Sequence, residues 1–321
     1  MKGPVSSVFF AVLAVGMHPA FSQDYPSKPI RLIVPFAPGG GVDFNARVVG
    51  PKLAEALGQS VVVDSRPGAG GTIGTEIGVK SPSDGYTYTL LGGTYAVTPS
   101  LFKLGFDPIN DITPVILLSY GPHLIVVHPS LPVKTTRDLI ALARAKPNTL
   151  TFGSSGPGGT SHLGMELFSY KAGVKMVHVP YKGGGQVVPD VMAGHLQLFL
   201  ATLPSSLQQI RARRLKAIAV TTAQRSDLAP DIPTVSETSD IKDLDVMTWY
   251  GLIAPKNLPK PILDRVSGEI NKILKTKEIS DRFASEGVVP GGGTPAQFHA
   301  LIQKEIETWR KVVQITGTKF E

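Results

Sequence analysis

The chain has 321 residues, no cysteine, and a formal net charge of +7 from 32 Lys+Arg against 25 Asp+Glu. Without cysteine there is no disulfide, no thiolate nucleophile and no Cys-ligated zinc. A mild positive field gathers small anions. Nucleic acid would want a basic stripe, and only Arg211-Ala212-Arg213-Arg214-Leu215-Lys216 comes near one. That segment reads as the cationic end of a helix, so no nucleic-acid partner is expected.

Residues 1–22 read as an export signal. Lys2 gives a weakly basic start, Val8 to Val15 an apolar core, and Ala20-Phe21-Ser22 a small-x-small cleavage site before Gln23. The apolar run is too short to span a bilayer, and no later stretch reaches ~18 apolar residues. Removing Lys2 with the leader leaves a charge of +6. A cysteine-free exported chain of this size suits the bacterial periplasm. About 300 residues then remain, more than one compact core usually holds, so two lobes are expected.

Strands and helices alternate almost throughout, the pattern of an α/β sheet with mostly parallel strands. The first series has strands at 30–35, 61–64 and 86–91, with helices at 43–57 and 72–80. Gly50-Pro51 is expected to kink the first helix, because Pro51 cannot donate to the carbonyl of Arg47. A second series starts at Leu124, with strands at 124–128, 150–153, 176–180, 195–201 and 215–221. Its helices fall at 136–145, 160–172, 187–193 and 205–213. Residues 229–245 are polar and turn-rich and read as a connection. A strand at 247–254 and helices at 261–274, 279–285 and 295–315 complete the chain. Thr294, Pro295 and Gln297 give the last helix a capped start.

Two glycine loops carry the chemistry. In Val34-Pro35-Phe36-Ala37-Pro38-Gly39-Gly40-Gly41-Val42-Asp43 an apolar strand runs through three glycines into a helix. Backbone N–H groups uncovered by any Cβ, at the positive end of a helix dipole, make a seat for an anion. The bland alternative is a tight turn with nothing bound. Asp43 reads as a helix cap, since a carboxylate facing an anionic ligand would repel it. A second seat stands at Phe152-Gly153-Ser154-Ser155-Gly156-Pro157-Gly158-Gly159-Thr160-Ser161-His162. Thr160 or Ser161 is expected to cap its helix, leaving other hydroxyls free to donate to a carboxylate. His162 either packs beside the loop or meets the ligand. Two such seats suggest a small acid held between two lobes.

Two further turns, Tyr181-Lys182-Gly183-Gly184-Gly185 and Gly92-Gly93-Thr94-Tyr95, follow strands in the same way. Ligands sit outside the carboxyl ends of parallel strands, which puts all four turns on one side. Enzyme signatures fail on spacing. Gly68-Ala69-Gly70-Gly71-Thr72-Ile73-Gly74 has Ile73 where a dinucleotide loop needs its third glycine, and there is no P-loop or nucleophile elbow. The seven histidines show no paired metal-ligand spacing, so neither cofactor nor metal is expected.

Several segments resemble one family in order, from about Tyr25 to the carboxyl terminus. They include Tyr25-Pro26-Ser27-Lys28-Pro29-Ile30, the first glycine loop, Arg66-Pro67-Gly68-Ala69-Gly70-Gly71 and Ser83-Asp84-Gly85-Tyr86-Thr87. Gly158-Gly159-Thr160-Ser161-His162-Leu163, Val179-Pro180-Tyr181-Lys182-Gly183, Pro233-Thr234-Val235 and Trp249-Tyr250-Gly251 continue the match. Together they are similar to the Bug-type receptors of tripartite tricarboxylate transporters. The resemblance implies a two-lobed α/β fold of the periplasmic-binding-protein (Venus flytrap) kind, with a mostly parallel sheet in each lobe. It also implies two crossings: residues 23–123 and 248–321 in the first lobe, 124–247 in the second.

Carried over by position, the ligand contacts fall at Phe36, Ala37, Gly39, Gly40, Gly41 and Asp43, and at Ser154, Gly158, Gly159, Thr160 and Ser161. Thr94, Tyr181 and Asp190 are further candidates. Ala201 belongs to the same set, but there the family commonly places an acidic residue, so a ligand with an ammonium group is not expected. Ala201, Phe36, Phe199 and Leu200 suggest an apolar floor. Thr238-Ser239-Asp240 and Gly50-Pro51 also depart from the family pattern. The function implied is a non-catalytic periplasmic receptor. It would carry an aromatic or short aliphatic mono- or dicarboxylic acid to a membrane permease. The alternatives are a sensor for a signalling partner and an exported hydrolase with a dispersed triad.

Overall fold

The structure, a computed structural model, describes residues 25–242 and 244–318. The expected export signal therefore lies outside the described residues. The chain opens with β1 (Ile30–Val34), α1 (Gly41–Leu57), β2 (Val61–Ser65), α2 (Thr72–Val79), β3 (Thr87–Gly92), α3 (Thr94–Val97) and β4 (Ile112–Val127). It continues with α4 (Thr136–Ala145), β5 (Thr151–Ser154), α5 (Thr160–Ala172), β6 (Val177–Pro180), α6 (Gly184–Met192), β7 (Leu198–Thr202), α7 (Leu203–Arg211), β8 (Lys216–Val220) and α8 (Val235–Thr238). It closes with β9 (Met247–Pro255), α9 (Lys260–Leu274), α10 (Lys277–Ser285), β10 (Val289–Gly292) and α11 (Pro295–Thr316). No helix among the described residues is long and apolar enough to cross a membrane.

The strands form two sheets that share one member. The first runs β2-β1-β3-β9-β4-β10 and the second β6-β5-β7-β4-β8. β4 pairs with β9 as far as Pro122, then with β7 from His123 onward. Every antiparallel pairing involves β4 or β9; β1 with β2 and β3, and β5 with β6 and β7, are parallel. Taken through these registers, β1 to β4 point one way in the first sheet and β5 to β8 point one way in the second.

Helices flank both sheets, so the strands are apolar on both faces, as buried parallel strands are. Val34, Leu90 and Leu118 lie in one core with α1 and α9, and Val126, Phe199 and Val220 in another with α6 and α7. α11 packs on α3, β4 and α5, and its Phe298, Ile302 and Ile306 join a core that extends into both lobes. Glu305 of this helix accepts from the indole N–H groups of Trp249 (3.3 Å) and Trp309 (3.2 Å), tying α11 to β9.

Local signals explain most boundaries. Capping boxes at Thr135/Asp138 and Thr294/Gln297 start α4 and α11, and left-handed glycines end α1, α5 and α11. α1 runs unbroken from Gly41 to Leu57 with Pro51 inside it. β4 is far longer than the strand expected at 124–128. Its first half carries Pro114, and register shifts between Pro114 and Ile116 and between Leu117 and Ser119 absorb the disturbance. β10, α3 and α8 were not anticipated either; α8 sits inside the segment expected to be a plain connection.

Candidate functional site

A cleft opens where the two sheets meet. Phe36, Gly40, Gly41, Val42, Gly92, Gly93, Thr94, Thr248 and Tyr250 line it from the first sheet and its helices. Ser155, Thr160, Ser161, Gly183, Gly184, Phe199, Leu200 and Thr202 face them from the second, and His123 sits at the junction. The helices α1, α5, α6 and α7 each start at its wall, with caps Gly40, Gly159, Gly183 and Thr202, none of which makes a side-chain cap bond. A helix leaves its first N–H groups without internal partners and carries partial positive charge there. Among the described residues, no Asp, Glu, Lys or Arg side chain lines the cleft.

The first glycine loop is held from behind. Asp43 is 4% exposed, and its Oδ2 accepts from the N–H of Gly39 (3.0 Å) and from Arg47 Nε (2.8 Å). It is neither the cap of α1, which is Gly40, nor a lining residue of the cleft. It faces a separate groove with Arg47 and Glu286. Gly39 is likewise turned away, with φ +87° and its N–H spent on Asp43. Ala37 lies at the lobe junction, where its N–H donates to the carbonyl of Lys182. The lining positions in this loop are Phe36, Gly40 and Gly41, with Val42, which sequence reasoning did not single out. Tyr250 fills the space where a Cβ on Gly41 would project.

In the second loop the structure exchanges one serine for its neighbour. Ser154 is 0% exposed and points beneath the loop, 2.6 Å from His178 Nε2, while accepting from the N–H of Gly156 (3.2 Å). Ser155 lines the cleft in its place. Ser161 Oγ accepts from the N–H of Ser155 (3.0 Å) and lies 3.0 Å from its hydroxyl. Gly159 caps α5, so neither Thr160 nor Ser161 does; both stand in the first turn. Thr160 Oγ1 lies 3.5 Å from Thr94 Oγ1 across the cleft. Gly158 donates to His162 Nδ1 (3.2 Å) and Gly159 to the Gly156 carbonyl (3.1 Å), so both N–H groups brace the loop.

His162 and His178 stack under this loop at 3.7 Å and 14°. Burial pulls His178 down to about 4, and burial together with its neighbour pulls His162 down to about 3, so both rings are neutral near pH 7. They support the loop from below and do not line the cleft.

Tyr181 hydrogen-bonds Asp190, whose Oδ1 lies 3.6 Å from His195 Nδ1; burial first, then that carboxylate, pushes the phenol up to about 12. Neither residue borders the cleft. Ala201 does not either: it is 0% exposed and packs with Leu124 and Val126. The expected apolar floor is therefore partly replaced. Phe36, Phe199 and Leu200 are present, but His123, Thr202, Thr248 and Tyr250 add polar groups. Sequence reasoning gave these four no role, because the register that joins them pairs residues tens of positions apart, as His123 with Thr202.

A cleft between two α/β lobes, ringed by helix N-termini, defines the solute-binding receptor class. The chain belongs to the tripartite tricarboxylate transporter family receptors, whose family model matches residues 45–318. It is 35% identical over 320 residues to protein BugT of Bordetella pertussis, covering 99% of this chain and 98% of that one. Among solved structures it is similar to R. palustris Rpa4515 with adipate, at 34% identity and a TM-score of 0.89, covering 92% and 99% of the two chains. It also resembles MatC from Rhodopseudomonas palustris with bound malate, at 27% identity and a TM-score of 0.86, covering 90% and 100%.

Proposed function

We propose that the chain is a periplasmic receptor that holds a small carboxylate in the cleft and delivers it to the permease of a tripartite tricarboxylate transporter. The observation that carries this reading is the convergence of four helix N-termini on a cleft without charged side chains. An anion is welcome there, and it is held by backbone N–H groups and hydroxyls, not by an arginine or lysine. Phe36, Gly40, Gly41, Thr94, Ser155, Thr160 and Ser161 make the contacts. The adipate and malate in the two similar structures support the same class of ligand.

The ligand is an aromatic or short aliphatic mono- or dicarboxylic acid. An ammonium group would be buried without a carboxylate partner, at a cost of several kcal/mol. The two lobes comprise residues 23–123 with 248–321, and 124–247; the change of partners in β4 at Pro122 and His123 supports this division. A thermal-shift screen against a carboxylate library tests the reading, since a ligand at ~100 times its Kd stabilises by about 2.7 kcal/mol. Calorimetry then ranks the hits, with plain carboxylates expected above aspartate and glutamate. Binding of an amino acid alone would overturn it. Recovery of the chain in an osmotic-shock fraction, beginning at Gln23, checks the export step.

A further inference from the structure

His123 stands at the junction of the two sheets, lines the cleft and is 2% exposed. Its Nδ1 has no hydrogen-bond partner, although a buried ring nitrogen left unpaired is costly. The ring also meets the carbonyl of Val246, which favours its protonated form, but burial outweighs this and pulls the pKa down to about 4. The ring is therefore neutral, with one nitrogen bearing hydrogen and the other a lone pair. A hydroxyl suits a neutral ring on either side, since it donates to the lone pair or accepts from the N–H.

The neighbouring hydroxyls are occupied with one another. Tyr250 interacts with Thr248 and Thr202, and Thr202 Oγ1 donates to Ser205 Oγ at 3.1 Å. What this corner lacks is a partner for the ring. A carboxylate can only accept, whereas a hydroxyl can meet either nitrogen.

We propose that His123 reads a hydroxyl group on the ligand, so that the cleft selects hydroxylated carboxylic acids over their plain counterparts. This rests on the carboxylate reading of the same cleft and narrows it to a chemical class.

Calorimetry with two matched pairs tests it: L-malate against succinate, and 4-hydroxybenzoate against benzoate. In at least one pair the hydroxylated acid is expected to bind roughly tenfold more tightly, the worth of one hydrogen bond to a buried ring nitrogen. His123→Phe keeps a ring and removes both nitrogens, and should bring that ratio to about one. Equal affinities within both pairs, or a ratio that survives His123→Phe, would overturn the inference while leaving the carboxylate reading standing. Binding of neither hydroxylated acid would overturn the inference, and a carboxylate hit in the thermal-shift screen would then leave the carboxylate reading standing. Should His123→Phe not fold, the imidazole ¹⁵N shifts of the wild-type protein decide: a ring nitrogen of His123 moves with the hydroxylated acid and not with the plain one. Equal movement with both overturns the proposal.

Discussion

The N–H of Ala37 donates to the carbonyl of Lys182 at 3.4 Å, a hydrogen bond from the first glycine loop to the third and so from one lobe to the other. Beside it, a Cβ on Gly185 would lie 2.8 Å from the carbonyl carbon of Gly39. The loops approach this closely because Gly185 carries no side chain at the point of contact. Gly185→Ala is therefore expected to obstruct closure. Alanine suits the first turn of α6, so the melting temperature without ligand should hold. Affinity should fall by about 5- to 150-fold, the equivalent of roughly 1–3 kcal/mol of overpacking. Wild-type affinity in this variant would show that the liganded lobes do not close this far.

Thr160→Val keeps the volume and removes a hydroxyl from the cleft wall. If that hydroxyl donates to the ligand carboxylate, binding weakens by roughly 1.5–3 kcal/mol, or about 10- to 150-fold. Because Gly159, not Thr160, caps α5, the melting temperature should not move. Unchanged calorimetric affinity would remove Thr160 from the site.

Adjacent glycines in the first loop should behave differently. A Cβ on Gly41 runs into the buried ring of Tyr250, whereas one on Gly40 finds its nearest atom, the nitrogen of Gly184, at 3.9 Å. Urea unfolding is expected to show Gly41→Ala destabilised by about 1–3 kcal/mol. Gly40→Ala should stay within about 0.5 kcal/mol of wild type. Equal stabilities would mean that Tyr250 swings aside freely.

His123, His162 and His178 have folded-state values of about 4, about 3 and about 4, all depressed chiefly by burial. In the unfolded chain each titrates near ~6.5. Unfolding below that pH takes up protons, so their contribution is complete above ~6.5 and drains away as pH falls toward about 4. Each histidine contributes a slope on the order of 1.4 kcal/mol per pH unit within the window, and partly exposed His178 contributes less. Urea midpoints at about pH 7, 6 and 5 should decline in turn. A flat profile over that range would mean that these rings are solvated.

Where a signal is local, the sequence exposes it. The strand–glycine–helix passages at Gly40-Gly41 and Gly159-Thr160 are readable because turn, cap and helix start lie within a few residues. β4 was legible only in its second half, since Pro114 and Gly121-Pro122 break the apolar pattern that marks a strand. Ser154 and Ser155 look equivalent in sequence. The end of β5 turns the first toward His178 and the second toward the cleft, a difference only the backbone decides. His123, Thr202, Thr248 and Tyr250 carry no local motif at all. They meet because β4 lies beside β7 and β9, a relationship of register across long stretches of chain.

The strand shared by both sheets also constrains how the receptor can work. β4 is hydrogen-bonded on each side of the Pro122–His123 step, so this crossing is not a slack linker. Opening about that step would flex paired strands, so the glycine loops at the rim would travel furthest and His123, beside the step, would shift least. A solute entering the open mouth would then meet a floor already in its final arrangement before the rim closes over it.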